Sequence, residues 1–292
     1  MPALITVDNI VKKYKNFTLD KVSFELESGH IYGFVGENGS GKSTTMKAIS
    51  SLINLDEGQV LINGKESKDL EPEEREKLGF TLDEICLPDN LKIRLINNIL
   101  KSAFENWDET LFFKYLTAFN IDANKKIKEL SKGMKAKFNI VISLCHGASI
   151  LILDEPMNGL DPVARDEFCT LLNDYIEEGE NRTILISSHI ISDLEKICTD
   201  FIFIHNGKII LNESKKVIDS SFLKLTLNED EFDAFDKFKI VRFKKMGGNY
   251  DVLISNSEEN KNIPNVEKAS AEDILIFLIK GKTLWKKLKD CY

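Results

Sequence analysis

The nine residues Gly36-Glu37-Asn38-Gly39-Ser40-Gly41-Lys42-Ser43-Thr44 match the pattern G-x-x-x-x-G-K-[ST] at every fixed position. An apolar run, Ile31 to Val35, precedes the match, and a stretch with helical character begins at Lys42. A phosphate-binding loop requires this strand–loop–helix context. The alternative is a glycine-rich turn that merely opens a helix. The complete match in the right context favours the phosphate-binding loop, and with it an α/β fold.

The chemistry of such a loop assigns roles to the residues within it. Its glycines let the backbone wrap closely around phosphate oxygens, and the N–H groups of the loop and of the following helix point at them. Lys42 is expected to reach the β- and γ-phosphates of ATP, and the hydroxyl of Ser43 to coordinate Mg²⁺. We therefore expect all nine residues to form the nucleotide-binding loop.

A second apolar run, Ile150 to Leu153, ends in Asp154 and Glu155. A strand buried on both faces delivers the residues at its carboxyl end to the crevice where open α/β sheets bind ligands. Asp154 is expected to hold Mg²⁺ through water, and Glu155 to polarise or orient the attacking water. His189 follows a further strand-like run and is a candidate for contact with the γ-phosphate. A lone histidine is, however, more often an ordinary polar residue.

Hydrophobic periodicity divides the chain into regions. Residues 5–35 contain short β segments, and about 85–146 have the spacing of helices. From residue 149, strands alternate with helices, which predicts a parallel sheet flanked by helices. After residue 220, strand-like stretches flank Gly247-Gly248, and a helix is expected from Ser270. We predict an ATPase domain over 1–219, with a helical insert at about 85–146, and a small α+β domain over 220–292.

Composition limits the function classes. The chain has 292 residues and a net charge of −8, which argues against a general nucleic-acid binder. The five cysteines form no C-x-x-C pair and are expected to be reduced. No run approaches the ~18 apolar residues that a membrane-spanning helix needs, and the start of the chain lacks the pattern of a secretory signal. Any membrane role is therefore expected to be peripheral, through a partner.

Two further motifs separate families of P-loop ATPases. The first is Leu130-Ser131-Lys132-Gly133-Met134, and the second is Gly159-Leu160-Asp161-Pro162, shortly after Glu155. With these motifs in this order, residues 1–220 resemble the ATP-binding subunits of the ABC transporter family. The resemblance implies a P-loop fold of the ABC ATPase type, with an N-terminal antiparallel β subdomain, a helical insert and a small C-terminal α+β appendage.

The resemblance also implies site residues and partners. In this family two such subunits enclose two ATP molecules head to tail, and the signature motif of one completes the P-loop site of the other. Ser131 and the backbone of Gly133 match the positions that touch the γ-phosphate of the opposite ATP. Asp161 matches the residue that links the two sites, and His189 matches the switch histidine. Tyr14 matches the aromatic residue that stacks on adenine, with Phe17 as the alternative.

The chain departs from the family pattern at two places. The family signature is usually L-S-G-G-Q, whereas Lys132 and Met134 stand here in place of a glycine and the glutamine. The family also commonly has a glutamine at the start of the helical insert, which contacts Mg²⁺. That position falls near Asp83, with no glutamine close by. Asp83 is therefore a candidate ligand of Mg²⁺ in its place.

The expected function follows from the resemblance. The chain is expected to hydrolyse ATP as part of an exporter, to bind a separate permease, and to pair with an identical or paralogous ATPase subunit. It would then lie on the cytoplasmic, inner face of the membrane. The alternative is a nucleotide-gated soluble ATPase of the same type without a transport function. Whether the aromatic rings of the insert, Phe104, Trp107, Phe112 and Phe113, form a permease-docking surface or the insert's own core stays open at this stage.

Overall fold

The computed structural model describes residues 3–81, 87–179 and 181–283. In chain order the strands are β1 (Ile5–Tyr14), β2 (Phe17–Leu26), β3 (Ile31–Val35), β4 (Glu57–Ile62), β5 (Lys65–Glu66), β6 (Leu78–Thr81), β7 (Ile150–Leu153), β8 (Thr183–Ser188), β9 (Asp200–His205), β10 (Lys208–Ser214), β11 (Phe222–Leu227), β12 (Ile240–Met246), β13 (Asn249–Ser255) and β14 (Glu267–Lys268). The helices are α1 (Lys42–Ile49), α2 (Pro72–Arg75), α3 (Ile93–Ala103), α4 (Glu109–Ala118), α5 (Lys132–Cys145), α6 (Pro162–Glu177), α7 (Ile191–Leu194), α8 (Lys215–Ser221), α9 (Glu229–Ala234) and α10 (Ala271–Lys280).

A six-stranded sheet carries the predicted nucleotide site. Its order is β10-β9-β3-β8-β7-β6, and all neighbours are parallel except β10, which runs antiparallel to β9. Every residue of β3, β7 and β8 is buried, because helices and a second sheet cover the two faces. The carboxyl ends of these three strands meet at one edge, where Val35 pairs with Ser188 and Leu153 with Ile186. Residues that follow them are therefore brought together.

A four-stranded antiparallel sheet of order β2-β1-β4-β5 covers one face of this core. Alternation along β2 turns Val22, Phe24 and Leu26 inward, as expected for a strand with one buried face. These side chains share a hydrophobic cluster with Met46 of α1. The cluster fixes α1, and with it the loop that precedes α1, against the central sheet.

The helical insert has its own hydrophobic core. Phe112 has no exposed surface and Trp107 is 9% exposed, and the indole N–H of Trp107 donates to Asn97 Oδ1 at 2.9 Å. Phe104 and Phe113 are partly buried and pack against the same cluster. The aromatic excess that the sequence shows in this region therefore forms the core of the insert, and the docking interpretation fails for Trp107 and Phe112.

The C-terminal region forms a third sheet, of order β12-β13-β11-β14, with α10 beside it. The hairpin around Gly247-Gly248 and the helix capped by Ser270 and Asp273 are confirmed. Strands β10 and β11 were not predicted. Ile274 and Phe277 of α10 join the hydrophobic cluster that contains Leu194 and Phe201 of the ATPase region. The division at residue 220 stays a prediction, and the two regions share one core.

Candidate functional site

The predicted phosphate loop connects β3 to α1 and lies against β9. A Cβ atom at Gly36 would lie 2.3 Å from the carbonyl oxygen of Ile204 and 2.5 Å from Ser40 Oγ. Gly41 has a φ of +116°, which residues other than glycine rarely adopt. Close contact at Gly36 and backbone conformation at Gly41 therefore require glycine, and this explains two of the fixed positions of the motif.

A cleft of about 480 Å³ opens beside this loop. Its lining combines the loop with residues that follow β7 and β8: Phe17, Asn38, Gly39, Gly41, Lys42, Ser43, Thr44, Glu155, Asn158 and His189. The cleft thus brings together the loop, Glu155 and His189, which the sequence places far apart.

Lys42 lies at the centre of this arrangement. Its side chain is buried, and Nζ donates to the carbonyl oxygen of Gly36 at 2.7 Å and to that of Glu37 at 3.3 Å. Nζ also lies 3.6 Å from Glu155 Oε1. Because an ammonium group has three donors, a phosphate oxygen can replace the weaker of these contacts.

Glu155 links Lys42 to His189. Its Oε2 lies 2.8 Å from His189 Nδ1, and only 13% of its side chain is exposed, against 43% for His189. With Nδ1 engaged by the carboxylate, Nε2 of His189 remains available to a group in the cleft. Glu155 has a φ of +48°, an uncommon conformation for a residue other than glycine.

Ser187 holds the two acidic residues that follow β7. Its buried hydroxyl donates to Asp154 Oδ1 at 2.6 Å and accepts from the backbone N–H of Glu155 at 2.8 Å. Asp154 is buried at the bottom of the site, and its backbone N–H donates to the carbonyl of Thr81 at 3.2 Å. Among the described residues, no group other than Ser187 donates to the Asp154 carboxylate, so Oδ2 remains open to a ligand.

The structure places Phe17, and not Tyr14, in the lining of the cleft. Tyr14 is 47% exposed, and its ring centroid lies 6.5 Å from that of Phe17. Both rings lie at the β1–β2 turn, but only Phe17 faces the loop, where its ring would touch a Cβ at Gly41 at 3.0 Å. This placement favours Phe17 over Tyr14 as the candidate for stacking on adenine.

The signature motif lies away from the chain's own cleft. Ser131 caps α5, with its exposed hydroxyl accepting from Met134 N at 3.2 Å. A Cβ at Gly133 would lie 3.2 Å from the carbonyl oxygen of Gly159, and the Lys132 side chain runs beside Gly159. None of these residues lines the cleft that contains Lys42.

Asp161 lies next to this group and caps α6. Its carboxylate accepts from the backbone N–H of Ala164 at 2.9 Å, and this hydrogen bond lowers the pKa of Asp161. Asp83, the candidate Mg²⁺ ligand, lies outside the described residues. In the described part of the chain, no group of three or more His, Cys, Asp or Glu side chains is arranged to hold a metal.

The sequence patterns did not indicate two residues that the structure places in or beside the site. Asn158 lines the cleft although no motif position assigned it a role. Ser187 stands two residues before His189, at the end of the strand-like run that precedes it, but nothing in that run shows that its side chain turns toward β7. Pairing between neighbouring strands decides this, and the order of strands in the sheet was not available from sequence.

Comparison with known proteins agrees with this architecture. The family model described as "ABC transporter" matches residues 19–158. The lantibiotic transport ATP-binding protein SrtF of Streptococcus pyogenes is 35% identical over 216 residues, which cover 72% of this chain and 90% of SrtF. The ABC transporter ATP-binding protein YtrB of Bacillus subtilis is 27% identical over 281 residues, covering 92% of this chain and 96% of YtrB.

Further similarity comes from another transport protein and from a solved structure. The bacitracin transport ATP-binding protein BcrA of Bacillus licheniformis is 32% identical over 219 residues, covering 72% of this chain and 69% of BcrA. The solved structure of an ATP-binding subunit of an ABC transporter superposes with a TM-score of 0.66 at 27% identity, covering 74% of this chain and 91% of that one.

Within residues 3–81, 87–179 and 181–283, no helix has the length and apolar character needed to span a bilayer. The match to the family model spans the phosphate loop and the two acids after β7, and the similarity to SrtF covers 72% of the chain. The chain is therefore an ATP-binding subunit of the ABC transporter family, and an ATP hydrolase of that type.

Proposed function

We propose that this chain powers an exporter, with two ATPase subunits closing head to tail around ATP and a separate permease bound to them. The observation that carries the proposal is the position of Ser131 and Gly133, which stand at an exposed helix start outside the chain's own cleft. Residues at a helix N-terminus can bind phosphate, and because neither residue lines the chain's own cleft, we infer that they bind the phosphate of a nucleotide on another subunit.

We propose the following roles for the predicted residues in and around the cleft. Residues 36–44 hold the phosphates of ATP through backbone N–H groups, and Lys42 exchanges its weaker contact with Glu37 for a phosphate oxygen. Phe17 or Tyr14 stacks on the adenine. Glu155 accepts a proton from the attacking water or orients it, and His189, held by Glu155 through Nδ1, contacts the γ-phosphate with Nε2.

The donor set also fits Mg²⁺. Ser43 lines the cleft with an exposed hydroxyl, and Asp154 keeps one carboxylate oxygen free of hydrogen bonds from the described residues. One or two oxygen ligands from protein, completed by phosphate and water, are typical for this ion. When bound, Mg²⁺ would neutralise charge on the β- and γ-phosphates. Ser43 and Asp154 would hold it, and Asp83 remains a further candidate.

The export direction rests on the relatives. SrtF is named for lantibiotic transport and BcrA for bacitracin transport, and we propose an exported cargo for this chain as well. Its partner is then a membrane permease, which would keep the chain on the inner face of the membrane. The second ATPase subunit is either an identical chain or a paralogue. Asp161, beside the signature motif, would relay the state of one ATP site to the other.

The head-to-tail arrangement can be tested with two variants of the full chain. Glu155→Gln should bind ATP and dimerise on its addition, since hydrolysis no longer reopens the dimer. Adding Ser131→Arg to this variant should abolish the ATP-driven dimer while the single chain binds ATP as before, because Ser131 does not line its own cleft. Mass by light scattering and nucleotide binding by fluorescence are the two measurements.

Ser102→Arg provides a matched control, since Ser102 is exposed at the end of α3 and away from the signature. This control should dimerise normally. Dimers that persist with Ser131→Arg would rule out a role for the signature across the interface. Loss of ATP binding in the single chain would show instead that Ser131 acts within its own subunit. A Glu155→Gln chain that stays monomeric with ATP would point to a paralogous partner.

A further inference from the structure

A cavity of about 530 Å³ separates the edge of the six-stranded sheet from the C-terminal region. Ile210 and Leu211 of β10 form part of the wall, and Phe222, Val241 and Leu278 form much of the rest. All five side chains are only partly buried, so each keeps an apolar face directed away from the packed core. Cavities of roughly 300 to 1,000 Å³ with mostly apolar walls, located between domains, are typical sites for small molecules.

One cationic group lies in this apolar wall. Arg242 lines the cavity, and its guanidinium group donates to the carbonyl oxygen of Gly281 at 3.3 Å. Burial lowers the pKa of Arg242. Among the described residues no carboxylate lies within 4.0 Å of it, although Glu213 also lines the cavity. A guanidinium group has five N–H donors in a planar fork that fits a carboxylate, and within the described ranges only the Gly281 carbonyl oxygen accepts from the Arg242 side chain.

We propose that this cavity binds an amphiphilic carboxylate, whose alkyl chain occupies the apolar wall while its head group pairs with Arg242. Such a molecule satisfies both features of the cavity, because the alkyl chain covers the partly exposed apolar faces and the anion pairs with the unpaired cation. The site shares no residue with the nucleotide cleft. The assignment of this cavity therefore does not depend on which residues bind ATP or on whether the chain serves an exporter.

The adjoining end of this chain is a less suitable occupant. Residues 284–292 follow Thr283, which lines the cavity, and their sequence is Leu-Trp-Lys-Lys-Leu-Lys-Asp-Cys-Tyr. Three lysines against one aspartate give this segment a positive charge, which does not complement Arg242. An external anion complements the positive charge of Arg242.

The location also connects the cavity to the ATP site. Strand β10, which forms one wall, pairs with β9 through Ile209 and Ile204. At the turn between these strands, the backbone N–H of Gly207 donates to the carbonyl oxygen of Ser40 in the phosphate loop at 2.9 Å. A ligand that fixes β10 against the C-terminal region therefore acts on an element that is hydrogen-bonded to the phosphate loop, and we infer that it changes the affinity for ATP.

Isothermal titration of the full-length chain with octanoate tests the proposal, with 1-octanol as a neutral ligand of the same length. Octanoate should bind more tightly than octanol. Arg242→Gln should weaken octanoate about tenfold and leave octanol unchanged, since a charge-assisted pair is lost. Lys244→Gln removes the same charge from the same strand without lining this cavity, and should bind octanoate as the parent does. Leu278→Trp should weaken both ligands by filling the cavity.

Three results would overturn the proposal. The first is octanoate binding to the parent no more tightly than octanol, and the second is equal octanoate affinity in the parent and in Arg242→Gln. The third is binding that appears only after Leu284 and Trp285 are both changed to serine, which would identify residues 284–292 as the occupant. At an octanoate concentration that just saturates the parent, ATP affinity should shift in the parent and shift less in Arg242→Gln, which is only partly occupied at that concentration. An unshifted ATP affinity in the parent overturns the connection to the phosphate loop.

Discussion

Glu155 shows at the scale of single residues how this site is assembled. Its carboxylate lies between Lys42 of the phosphate loop and His189 after β8, with Oε1 3.6 Å from one and Oε2 2.8 Å from the other. The backbone of Glu155 has an uncommon positive φ of +48°. Strained backbone of this kind is concentrated at functional sites, and here the conformation turns the side chain toward the phosphate loop.

Replacing Glu155 by glutamine tests its role in hydrolysis. The amide keeps the size of the side chain but cannot accept the proton, so ATP binding should persist while turnover falls by about 10²- to 10⁴-fold. Single-turnover hydrolysis and equilibrium binding of ATP separate the two effects. Glu167→Gln, on the exposed face of α6, is the matched control and should hydrolyse ATP normally. Turnover at the parental rate in Glu155→Gln would remove Glu155 from the mechanism.

Ser187 is expected to be a positioning residue for both acids. In Ser187→Ala, the Asp154 carboxylate loses its donor and the backbone N–H of Glu155 loses its acceptor in a buried site. We expect the free energy of unfolding to fall by about 1 to 3 kcal/mol. The Mg²⁺ concentration needed for half-maximal hydrolysis should also rise, because Asp154 is no longer oriented. Ser188→Ala, one position along, should leave the Mg²⁺ dependence unchanged, and an equal change in both variants would contradict the assignment.

Among the elements, the helical insert has both a packed aromatic core and an exposed apolar face on α3. Phe112 contacts Trp107, Phe113 and Phe138 through ring pairs with centroids 5.2, 5.4 and 6.1 Å apart. On α3, by contrast, Leu95 and Ile99 are 47% and 45% exposed. They are four residues apart on one helix face. The rings hold the insert together, and this apolar pair is available to a partner helix.

Substitutions in these two places should therefore have opposite effects. Phe112→Ala should lower the free energy of unfolding by about 3 to 5 kcal/mol, because it opens a cavity in the core. Leu95→Asp and Ile99→Asp should leave the melting temperature nearly unchanged but reduce co-purification with the proposed permease. Ser102→Asp, an exposed change on the same helix, is the control for added charge. Unaltered co-purification in both α3 variants would place the permease contact elsewhere on the chain.

The start of α10 provides a pH-dependent contact. Burial works against ionisation of Asp273, but hydrogen bonds from Lys224 and Ser270 outweigh it, so the pKa of Asp273 is lowered. The Lys224 ammonium lies 2.8 Å from Asp273 Oδ2, and this hydrogen bond raises the pKa of Lys224. The carboxylate therefore stabilises the fold above its unfolded pKa of about 3.9, and this contribution is lost as the pH falls through the lower pKa of the folded state.

Asp273→Asn should accordingly be less stable than the parent at pH 7, by about 0.5 to 1 kcal/mol, since the pair is partly exposed. The difference should shrink as the pH falls below about 4, where the parent carboxyl is protonated as well. Urea unfolding at a series of pH values measures it. Glu258→Gln removes one partner of the exposed pair with Lys261 and should show no such pH dependence. A difference that persists undiminished in acid would exclude the ion pair as its source.

At the scale of the whole molecule, the C-terminal region is joined to the ATPase region through a common core. Ile274, Leu275 and Phe277 of α10 belong to the same cluster as Leu172, Leu194 and Phe201. A second cluster, around Phe232 and Val252, stabilises the C-terminal sheet from its other side. Because α10 contacts α7 and α8 as well as β12, the two regions are expected to unfold together.

Ile274→Ala tests this coupling. The side chain is buried in the common core, so its truncation should lower the free energy of unfolding by about 2 to 5 kcal/mol. The unfolding transition should shift by the same amount when it is followed by far-ultraviolet circular dichroism and when it is followed by the loss of ATP binding. Leu225→Ala, in the separate C-terminal cluster, gives a comparison with a similar loss of buried surface. If only the C-terminal region unfolded more easily and the unfolding transition of the ATPase region did not change, the two regions would unfold independently.

The sequence alone determined the phosphate loop, the two acids after an apolar strand and the α/β class. Each of these is a local pattern whose chemistry depends on neighbouring residues. The run Ile150 to Leu153, for example, is apolar throughout because both faces of β7 are covered, and this is visible without knowing what covers them. The signature motif and the Gly-Leu-Asp-Pro run likewise stand in contiguous residues, so the resemblance to the family could be recognised.

Tertiary structure alone decided the contacts between distant elements. Ser187 meets Asp154 because β8 pairs with β7, and Phe17 rather than Tyr14 faces the loop because of the way the β1–β2 turn packs on Gly41. The aromatic rings of the insert turned inward, since helical spacing shows which residues share a face but not which face is covered. The cavity beside Arg242 joins five elements from both regions, and only the packing of α10 against the ATPase core brings them together.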